Sequence, residues 1–156
     1  YKGFTIKDLA QKMQDFYSAR KVNRLQQRLF MKDFLPEYFM APQDANYELV
    51  RGHCELVKLS EARGRVGLEG ALPYPPGILT MQPGERWSDT CVDYFLALEE
   101  GINQLPGFTP EIQGVYFQPV EDGSVRAFAY CLDKETEERY IKTAAERKAL
   151  RDADAR

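Results

Sequence analysis

The sequence predicts an α+β domain, with N-terminal helices, a small and mostly antiparallel sheet, and one long helix packed on the sheet. Apolar residues recur at helical spacing over residues 6–33 and again over residues 88–105. Short runs with alternating apolar and polar side chains predict strands. These runs are residues 55–59, 65–70, 115–117 and 125–131. Residues 67–85 separate strands from the long helix and hold four of the 9 prolines and four of the 11 glycines.

Composition limits the classes of function that the chain can serve. With 156 residues, 44% of them hydrophobic, it is long enough for one domain that buries about 70% of its unfolded surface. The net charge of −3 is not the positive charge that is typical of nucleic-acid-binding domains. No apolar run approaches the roughly 18 residues that a membrane span needs. The sequence therefore predicts a protein that binds neither nucleic acid nor a membrane.

The metal-binding and redox-active residue types are sparse. Cys54, Cys91 and Cys131 are odd in number and far apart, which predicts free thiols and a cytoplasmic protein in a reducing environment. His53 is the only histidine, and without a neighbouring histidine or a paired cysteine motif it predicts no zinc site.

The N-terminal third predicts helices. Thr5 is placed to cap the first helix, with Asp8 in the capping-box position. The apolar stripe of this helix is Ile6, Leu9, Met13, Phe16 and Tyr17. A second helix is expected over residues 22–33, with Val22, Leu25 and Leu29 facing the core. The apolar-rich residues 30–40 either lie in the interior or form a face that docks on another domain, and the pattern does not decide between them.

The middle of the chain predicts a third helix and a strand pair. Proline at position 42 opens the helix and Gly52 closes it. Residues 55–59 and 65–70 are expected to pair as an antiparallel hairpin. Residues 72–77 must run extended, because each proline fixes its own φ and pushes the preceding residue out of the α region. Residues 78–81 are expected to form one buried strand.

The long helix begins after Ser88, its predicted cap, and Trp87 is the residue placed to pack back against Val92. Its predicted buried stripe is Cys91, Tyr94, Phe95, Leu98, Ile102 and Leu105. Gly101 lies within it, where glycine costs about 1 kcal/mol relative to alanine, and Pro106 is expected to end it. The last two strands are expected to form a hairpin through a turn at residues 121–123.

Residues 133–156 differ in composition from the rest, with seven acidic and seven basic residues in twenty-four positions. We expect a charged helical tail, exposed to solvent, that follows a domain of residues 1–132.

Two long runs resemble a known family. They are GRVGLEGALPYPPGILTMQPGERW, residues 64–87, and YFLALEEGINQLPGFTPEIQGVY, residues 94–116. Both are similar to the C-terminal domain of the bacterial ornithine/lysine/arginine decarboxylases, and within that family most similar to the ornithine decarboxylases. The resemblance covers residues 1–132. It implies an enzyme of the aspartate-aminotransferase fold whose catalytic core, with the lysine that binds pyridoxal phosphate, is not on this chain.

The resemblance implies a role as well as a family. The parent enzyme would convert L-ornithine to putrescine and CO2 in polyamine biosynthesis, with pyridoxal phosphate as electron sink. The cofactor would not bind this fragment, and the fragment alone is predicted to be inactive. Its partners would be the N-terminal catalytic core of the same polypeptide and further copies in a homodimer or larger homo-oligomer. Lysine or arginine decarboxylation is the nearest alternative, and a standalone protein-interaction module is an alternative of another class.

The sequence holds no complete catalytic motif, and no catalytic, cofactor-binding or metal-binding residue carries over from the family. Two residues are candidates for contact with the substrate entrance. Tyr74 lies between prolines that hold its ring rigidly, so it either meets the entrance or plugs the core with its hydroxyl on a backbone carbonyl. Glu69 either attracts a cationic diamine substrate or is a solvated strand residue. Glu99 and Glu100 are expected to form surface salt bridges.

Overall fold

The computed structural model describes residues 3–74, 77–105 and 107–154, the last without the side chain of Asp154. The helices are α1 Ile6–Arg20, α2 Val22–Arg28, α3 Pro42–Val50, α4 Asp89–Gln104 and α5 Lys134–Asp154. The strands are β1 Glu37–Tyr38, β2 Cys54–Lys58, β3 Leu72–Tyr74, β4 Glu85–Arg86, β5 Glu111–Gln113, β6 Tyr116–Pro119 and β7 Val125–Leu132. The predicted α+β class is confirmed. Among the described residues, no helix combines the length and the apolar composition that crossing a membrane requires.

The main sheet has three antiparallel strands in the order β2-β7-β6. The hairpin of β6 and β7 was predicted, and it closes through a turn in which the amide of Val120 donates to the carbonyl of Ser124. Two smaller antiparallel pairs, β1-β4 and β3-β5, form separate two-stranded sheets. All described strand pairs are antiparallel, as expected.

The predicted hairpin between residues 55–59 and 65–70 is wrong. β2 pairs with β7 instead, with Val57 opposite Ala129. Residues 65–70 form only isolated bridges, because their backbone is shared between two other strands: the amide of Gly67 donates to Glu85 of β4, and that of Leu68 donates to Tyr130 of β7. Residues 66–68 are buried one after another and residues 65, 69 and 70 are half-buried, so burial does not alternate as it does in a half-buried strand.

The predicted strand at residues 78–81 is also wrong. Only Met81 makes a bridge, to Ala71, and the amide of Thr80 donates to the carbonyl of the same alanine. Thr80 and Met81 are buried, whereas Ile78 and Leu79 are exposed. The expected extended course through positions 75 and 76, and the helix stop at position 106, lie outside the described residues.

Helix α4 packs on β7 of the main sheet, as expected. The Ser88 hydroxyl accepts from the amide of Cys91 at 3.2 Å and caps the helix. The predicted stripe is buried except at Ile102, which is half-buried. Gly101 has a packing reason that the sequence did not reveal, since a Cβ there would lie 2.9 Å from the Phe108 ring.

The N-terminal helices are less buried than their patterns predict. The capping box of Thr5 and Asp8 is present. In α1, however, Phe16 is the one buried residue among those described, and the side chain of Ile6 is 88% exposed. Helix α2 ends at Arg28, five residues before the predicted end, and a single 3-10 turn follows at Lys32–Phe34.

The apolar-rich residues 30–40 divide between surface and core. Phe30, Met31 and Leu35 are each 51% exposed, and Tyr38 is more exposed still. Met40 is buried in a second, smaller core cluster. Most of this stretch is therefore surface, which favours the docking face over the interior.

The three cysteines are free thiols. Cys91 and Cys131 are fully buried and pack in the main core cluster, while Cys54 is half-buried. Burial raises the pKa of the Cys131 thiol to about 12, so it stays protonated and behaves as a small hydrophobic side chain.

Candidate functional site

Strand β3 presents Tyr74 at the protein surface. Pro73 is buried and faces Ile112 of β5, while the next residue, Tyr74, points the other way and is 58% exposed. The carbonyl of Pro73 accepts from the amide of Gly77 at 3.0 Å. The Tyr74 hydroxyl has no hydrogen-bond partner among the described residues. The alternative of a core plug bonded to a backbone carbonyl therefore does not match the structure.

A cavity of about 340 Å³ opens beside Tyr74. It is lined by Tyr17, Val22, Asn23, Gln26, Pro73, Tyr74, Tyr94, Leu98, Phe108 and Pro110. A groove of about 790 Å³ between α1 and α2 shares Tyr17 and Asn23 with this cavity. We call the two together the Tyr17 groove. Burial, with the nearby Tyr94, raises the pKa of the Tyr17 phenol.

Strand β5 is held in place by a close backbone approach. Gly114 follows β5 directly and has a φ of 73°, a left-handed conformation that side chains other than glycine rarely adopt. A Cβ there would lie 2.3 Å from the carbonyl oxygen of Gly70. Because β5 is the partner of β3, this contact fixes the strand that carries Tyr74.

Glu69 lies apart from Tyr74 and is not among the described residues that line the Tyr17 groove. Both of its carboxylate oxygens accept from the Tyr116 hydroxyl, at 2.9 and 2.8 Å. Burial, and then the hydrogen bond to Glu69, raise the pKa of Tyr116 to about 12. Glu69 is half-buried, and a neutral phenol is its hydrogen-bond donor.

A buried carboxylate that the sequence did not indicate lies at the end of α3. Glu48 is 3% exposed. It is hydrogen-bonded to the His53 Nδ1 and accepts from the Tyr140 hydroxyl of α5 at 2.9 Å. Arg51 and Arg139 approach it at 3.6 and 3.8 Å. The spacing of Glu48 and His53 across a helix-ending glycine was the only available signal, because Tyr140 is 92 residues away.

The surroundings of Glu48 lower its pKa. Burial acts to raise it, but the hydrogen bonds from His53 and Tyr140, with the charges of His53 and Arg139, outweigh burial and bring it below 4.5. A carboxyl with a depressed folded-state pKa stabilises the fold above its unfolded pKa, and this contribution is lost as the pH falls.

Glu48→Gln is therefore expected to lower the free energy of unfolding by about 1–3 kcal/mol at pH 7, since it leaves charged and polar partners unmatched. The difference from wild type should shrink as the pH falls below 4.5. Urea unfolding at pH 7, 4.5 and 3.5 measures it. Glu138→Gln, at an exposed position of α5, is the control and should change little at any pH. If the loss of unfolding free energy in Glu48→Gln does not change with pH, Glu48 is not stabilising the fold as an ionised carboxylate.

Glu99 and Glu100 serve the structure, as expected. Glu99 pairs with Arg126 and accepts from the amide of Ala127 at 2.7 Å, which joins α4 to β7. Glu100 pairs with Arg20 and joins α4 to α1.

The described residues do not fit a pyridoxal phosphate site. That cofactor is held through an imine with a lysine enclosed in a pocket, and every lysine in the described ranges is exposed. The same residues hold no group of three His, Cys, Asp or Glu side chains placed to bind a metal ion. The arrangement can present a surface to another domain.

The comparison with family models decides the family. The model described as Orn/Lys/Arg decarboxylase, C-terminal domain, matches residues 23–133. The chain belongs to this family. The predicted family is confirmed.

Curated relatives in the Orn/Lys/Arg decarboxylase family divide by similarity. The ornithine decarboxylase of Haemophilus influenzae is 60% identical over 132 residues, which are 85% of this chain and 18% of that protein. The inducible ornithine decarboxylase of Escherichia coli is 49% identical over 132 residues, with the same shares. The constitutive lysine decarboxylase of Escherichia coli is 35% identical over 129 residues, 81% of this chain and 18% of that protein. The predicted greater similarity to ornithine decarboxylases is confirmed.

A solved structure supports the fold of the C-terminal domain. The structure of the Escherichia coli constitutive lysine decarboxylase matches with a TM-score of 0.72 and 32% identity, over 85% of this chain and 18% of that chain. The present chain thus spans about 18% of the length of the relatives that it matches.

Proposed function

We propose that this chain is the C-terminal domain of an ornithine decarboxylase that converts L-ornithine to putrescine and CO2 in polyamine biosynthesis. The observation that carries the proposal is the 60% identity to an ornithine decarboxylase over 132 residues, against 31–35% for the matched lysine decarboxylases. Pyridoxal phosphate supplies the electron sink for such a decarboxylation. The catalytic core on the N-terminal side would hold that cofactor in the cytoplasm.

The domain's part in this enzyme is to cover the catalytic core and shape substrate access. Support comes from apolar side chains that the domain leaves exposed: Phe4 and Ile6 at the start of α1, and Phe30, Met31 and Leu35 after α2. Exposed apolar patches of this kind mark interaction sites. We place the core of the same polypeptide on them, within a homodimer or larger homo-oligomer, because the relatives are more than five times as long as the matched segment.

Tyr74 and Glu69 are the proposed contacts with the substrate entrance. Tyr74 brings to the rim of the Tyr17 groove an aromatic ring and a hydroxyl that no described residue engages. Glu69 brings a negative charge, which attracts a cationic diamine or amino acid at longer range. The two act separately, since Glu69 lies outside the groove.

Assay of the complete protein on L-ornithine, L-lysine and L-arginine tests the substrate. The highest kcat/KM is expected on ornithine, and faster turnover of lysine or arginine would overturn the choice of substrate while leaving the family intact.

The isolated chain is expected to be inactive and to show no pyridoxal phosphate absorbance. A borohydride-sensitive cofactor spectrum on the chain alone would contradict its role as a fragment.

A chimera separates a decarboxylase domain from a standalone interaction module. In it, this chain replaces the matching C-terminal segment of the Haemophilus influenzae ornithine decarboxylase. We expect the chimera to keep the oligomeric state of its parent and a kcat/KM for ornithine within about tenfold. Leu35→Glu places a charge on the proposed docking face, so it should weaken oligomer assembly and lower kcat/KM in the chimera. A folded, inactive chimera that no longer assembles would favour the interaction module.

Tyr74→Phe is expected to lower kcat/KM about tenfold in the complete enzyme, equivalent to about 1.4 kcal/mol of transition-state stabilisation, with little change in melting temperature. The substitution removes only the hydroxyl and keeps the ring on its strand. Tyr47→Phe, at a tyrosine of α3 that is 50% exposed, is the control and should not change activity. If kcat/KM of Tyr74→Phe stays within twofold of wild type, the Tyr74 hydroxyl takes no part in substrate access and β3 is purely structural.

A further inference from the structure

The Tyr17 groove carries a local charge that the proposed function does not explain. Its wider part, of about 790 Å³, is lined by two exposed cations, Lys21 and Arg24. Among the described residues, no aspartate or glutamate lines either part of the groove. The groove is therefore locally positive, although the net charge of the chain is −3.

The bend between α1 and α2 holds the cations at one end of the groove. Lys21 joins the two helices with a φ of 52°, and it is the one residue other than glycine with a positive φ in the described part of the chain. This left-handed conformation is unfavourable for a residue with a Cβ. The carbonyls of Tyr17 and Ser18 accept from the Lys21 amide and stabilise it. Arg24 lies three residues further on, within α2.

The rest of the groove is largely apolar. Met13 and Tyr17 of α1 are half-buried along its wider part, and Leu98 and Phe108 line the narrower part beside Tyr74. From position 10 to position 21 the lining follows α1 for about 16 Å, the length of about three helical turns. A groove that is apolar along its length and positive at one end is complementary to an apolar segment that carries carboxylates.

Ornithine itself does not match this lining. At neutral pH it carries two ammonium groups and one carboxylate, so its net charge is positive and the two cations repel it. The groove is therefore available to an occupant other than the substrate.

We infer that the Tyr17 groove seats an apolar segment of the catalytic core of the same polypeptide, and that carboxylates of this segment pair with Lys21 and Arg24. The inference rests on the proposed function, because the partner is the part of the decarboxylase that this chain lacks.

Two observations favour the core over a separate molecule as the partner. The matched segment is only 18% of the Haemophilus influenzae relative, so a protein of that length supplies ample chain to fill the groove. The exposed Phe30, Met31 and Leu35, which we place against the core, follow α2 directly in the chain. The groove and these side chains are therefore proposed as parts of one docking face.

Carbodiimide cross-linking of the complete protein, followed by peptide mass spectrometry, identifies what lies on the groove. The reagent joins a lysine amine directly to a carboxylate that it contacts, through an amide without a spacer. We expect Lys21 to be joined to an aspartate or glutamate of the catalytic core. An oligomer assembled from isotope-labelled and unlabelled subunits shows whether both peptides come from one chain. Lys21→Arg keeps the charge but removes the reactive amine, so this cross-link should disappear.

Charge reversal tests whether the pairing holds the domain on the core. In the complete protein, Lys21→Glu/Arg24→Glu should raise amide hydrogen exchange in α1 and α2 at least about tenfold, because like charges then meet across the groove. Exchange in α4 should stay as in wild type, which verifies that the domain remains folded. Lys142→Glu/Lys148→Glu makes the same change of charge at exposed positions of α5 outside the groove. It should change exchange in α1 and α2 less than about twofold, because distant exposed charges are screened.

Three results would overturn the inference. They are the lack of a cross-link from Lys21 to the core, a cross-link to a different chain, and equal rises in exchange in the two double variants. A cross-link to this domain of another subunit would assign the groove to a contact between copies. Equal rises would mean a diffuse effect of charge without a specific contact. Neither measurement uses a substrate, so failure here leaves the ornithine assay to decide the proposed function, and a preference for lysine would leave these results unchanged.

Discussion

Replacing Gly114 with alanine is expected to lower the free energy of unfolding by about 2–5 kcal/mol. The left-handed backbone costs a residue with a Cβ about 1–2 kcal/mol, and forcing an extra methyl into a packed site costs about 1–3 kcal/mol more. The new Cβ would meet the carbonyl oxygen of Gly70 at 2.3 Å, and a backbone atom cannot rotate away. Urea unfolding of the variant and of wild type gives the difference.

Gly123→Ala is the matched control, because Gly123 has a φ of 79° and nothing lies within 4 Å of the position that its new Cβ would take. It should cost only the conformational part, about 1–2 kcal/mol. In the complete enzyme, Gly114→Ala should also disturb the strand pair that carries Tyr74 and so reduce kcat/KM. Equal destabilisation by the two substitutions would mean that the approach of Gly114 to Gly70 is not a tight contact.

Removal of residues 134–156 is expected to lower the melting temperature by about 10 °C. Although the composition predicts an exposed tail, the first two turns of α5 pack on the domain. Tyr140 contacts the second core cluster and donates to Glu48, and Glu137 pairs with Arg86 at 2.6 Å. These contacts together are worth about 3–4 kcal/mol, and each kcal/mol shifts the melting temperature of a domain this size by about 2–4 °C.

A shorter truncation, of residues 145–156, isolates the exposed part of the same helix. Its side chains are exposed throughout the described portion, so the loss should stay within about 3 °C. Differential scanning calorimetry of both truncations measures this. If the two lower the melting temperature equally, Tyr140 and Glu137 contribute nothing, and residues 1–132 form an independent domain.

Features specified by neighbouring residues could be predicted from the sequence. The capping box of Thr5 and Asp8, the cap at Ser88 and the hairpin of β6 and β7 all depend on residues a few positions apart. Strand pairing across long separations could not be predicted, because backbone partners are set by competition within the whole fold. Residues 65–70 have strand-like alternation, but β4 and β7 take their backbone hydrogen bonds.

In the candidate site, too, local features could be predicted and long-range contacts could not. The prolines around Tyr74 predicted a rigid tyrosine, and its exposure on β3 agrees with a role at the surface. The partner of Glu69 could not be predicted, since Tyr116 is 47 residues away. Glu48 and the arginines of α5 lie in segments whose sequence is merely amphipathic or charged, and only the packing of α5 on α3 brings them together.

The order of strands in the main sheet has a consequence for biosynthesis. Its central strand, β7, is the last of the three to leave the ribosome, and Val57 of β2 must wait for Ala129, about 70 residues later. At about 5–20 residues per second, translation takes roughly 4–14 s to deliver that partner. Throughout this interval β2 has no partner strand from β7, and once α4 is made its apolar side also waits for β7. The apolar surfaces of the nascent domain therefore stay uncovered until β7 is synthesised, and a chaperone at the ribosome has most to protect just before then.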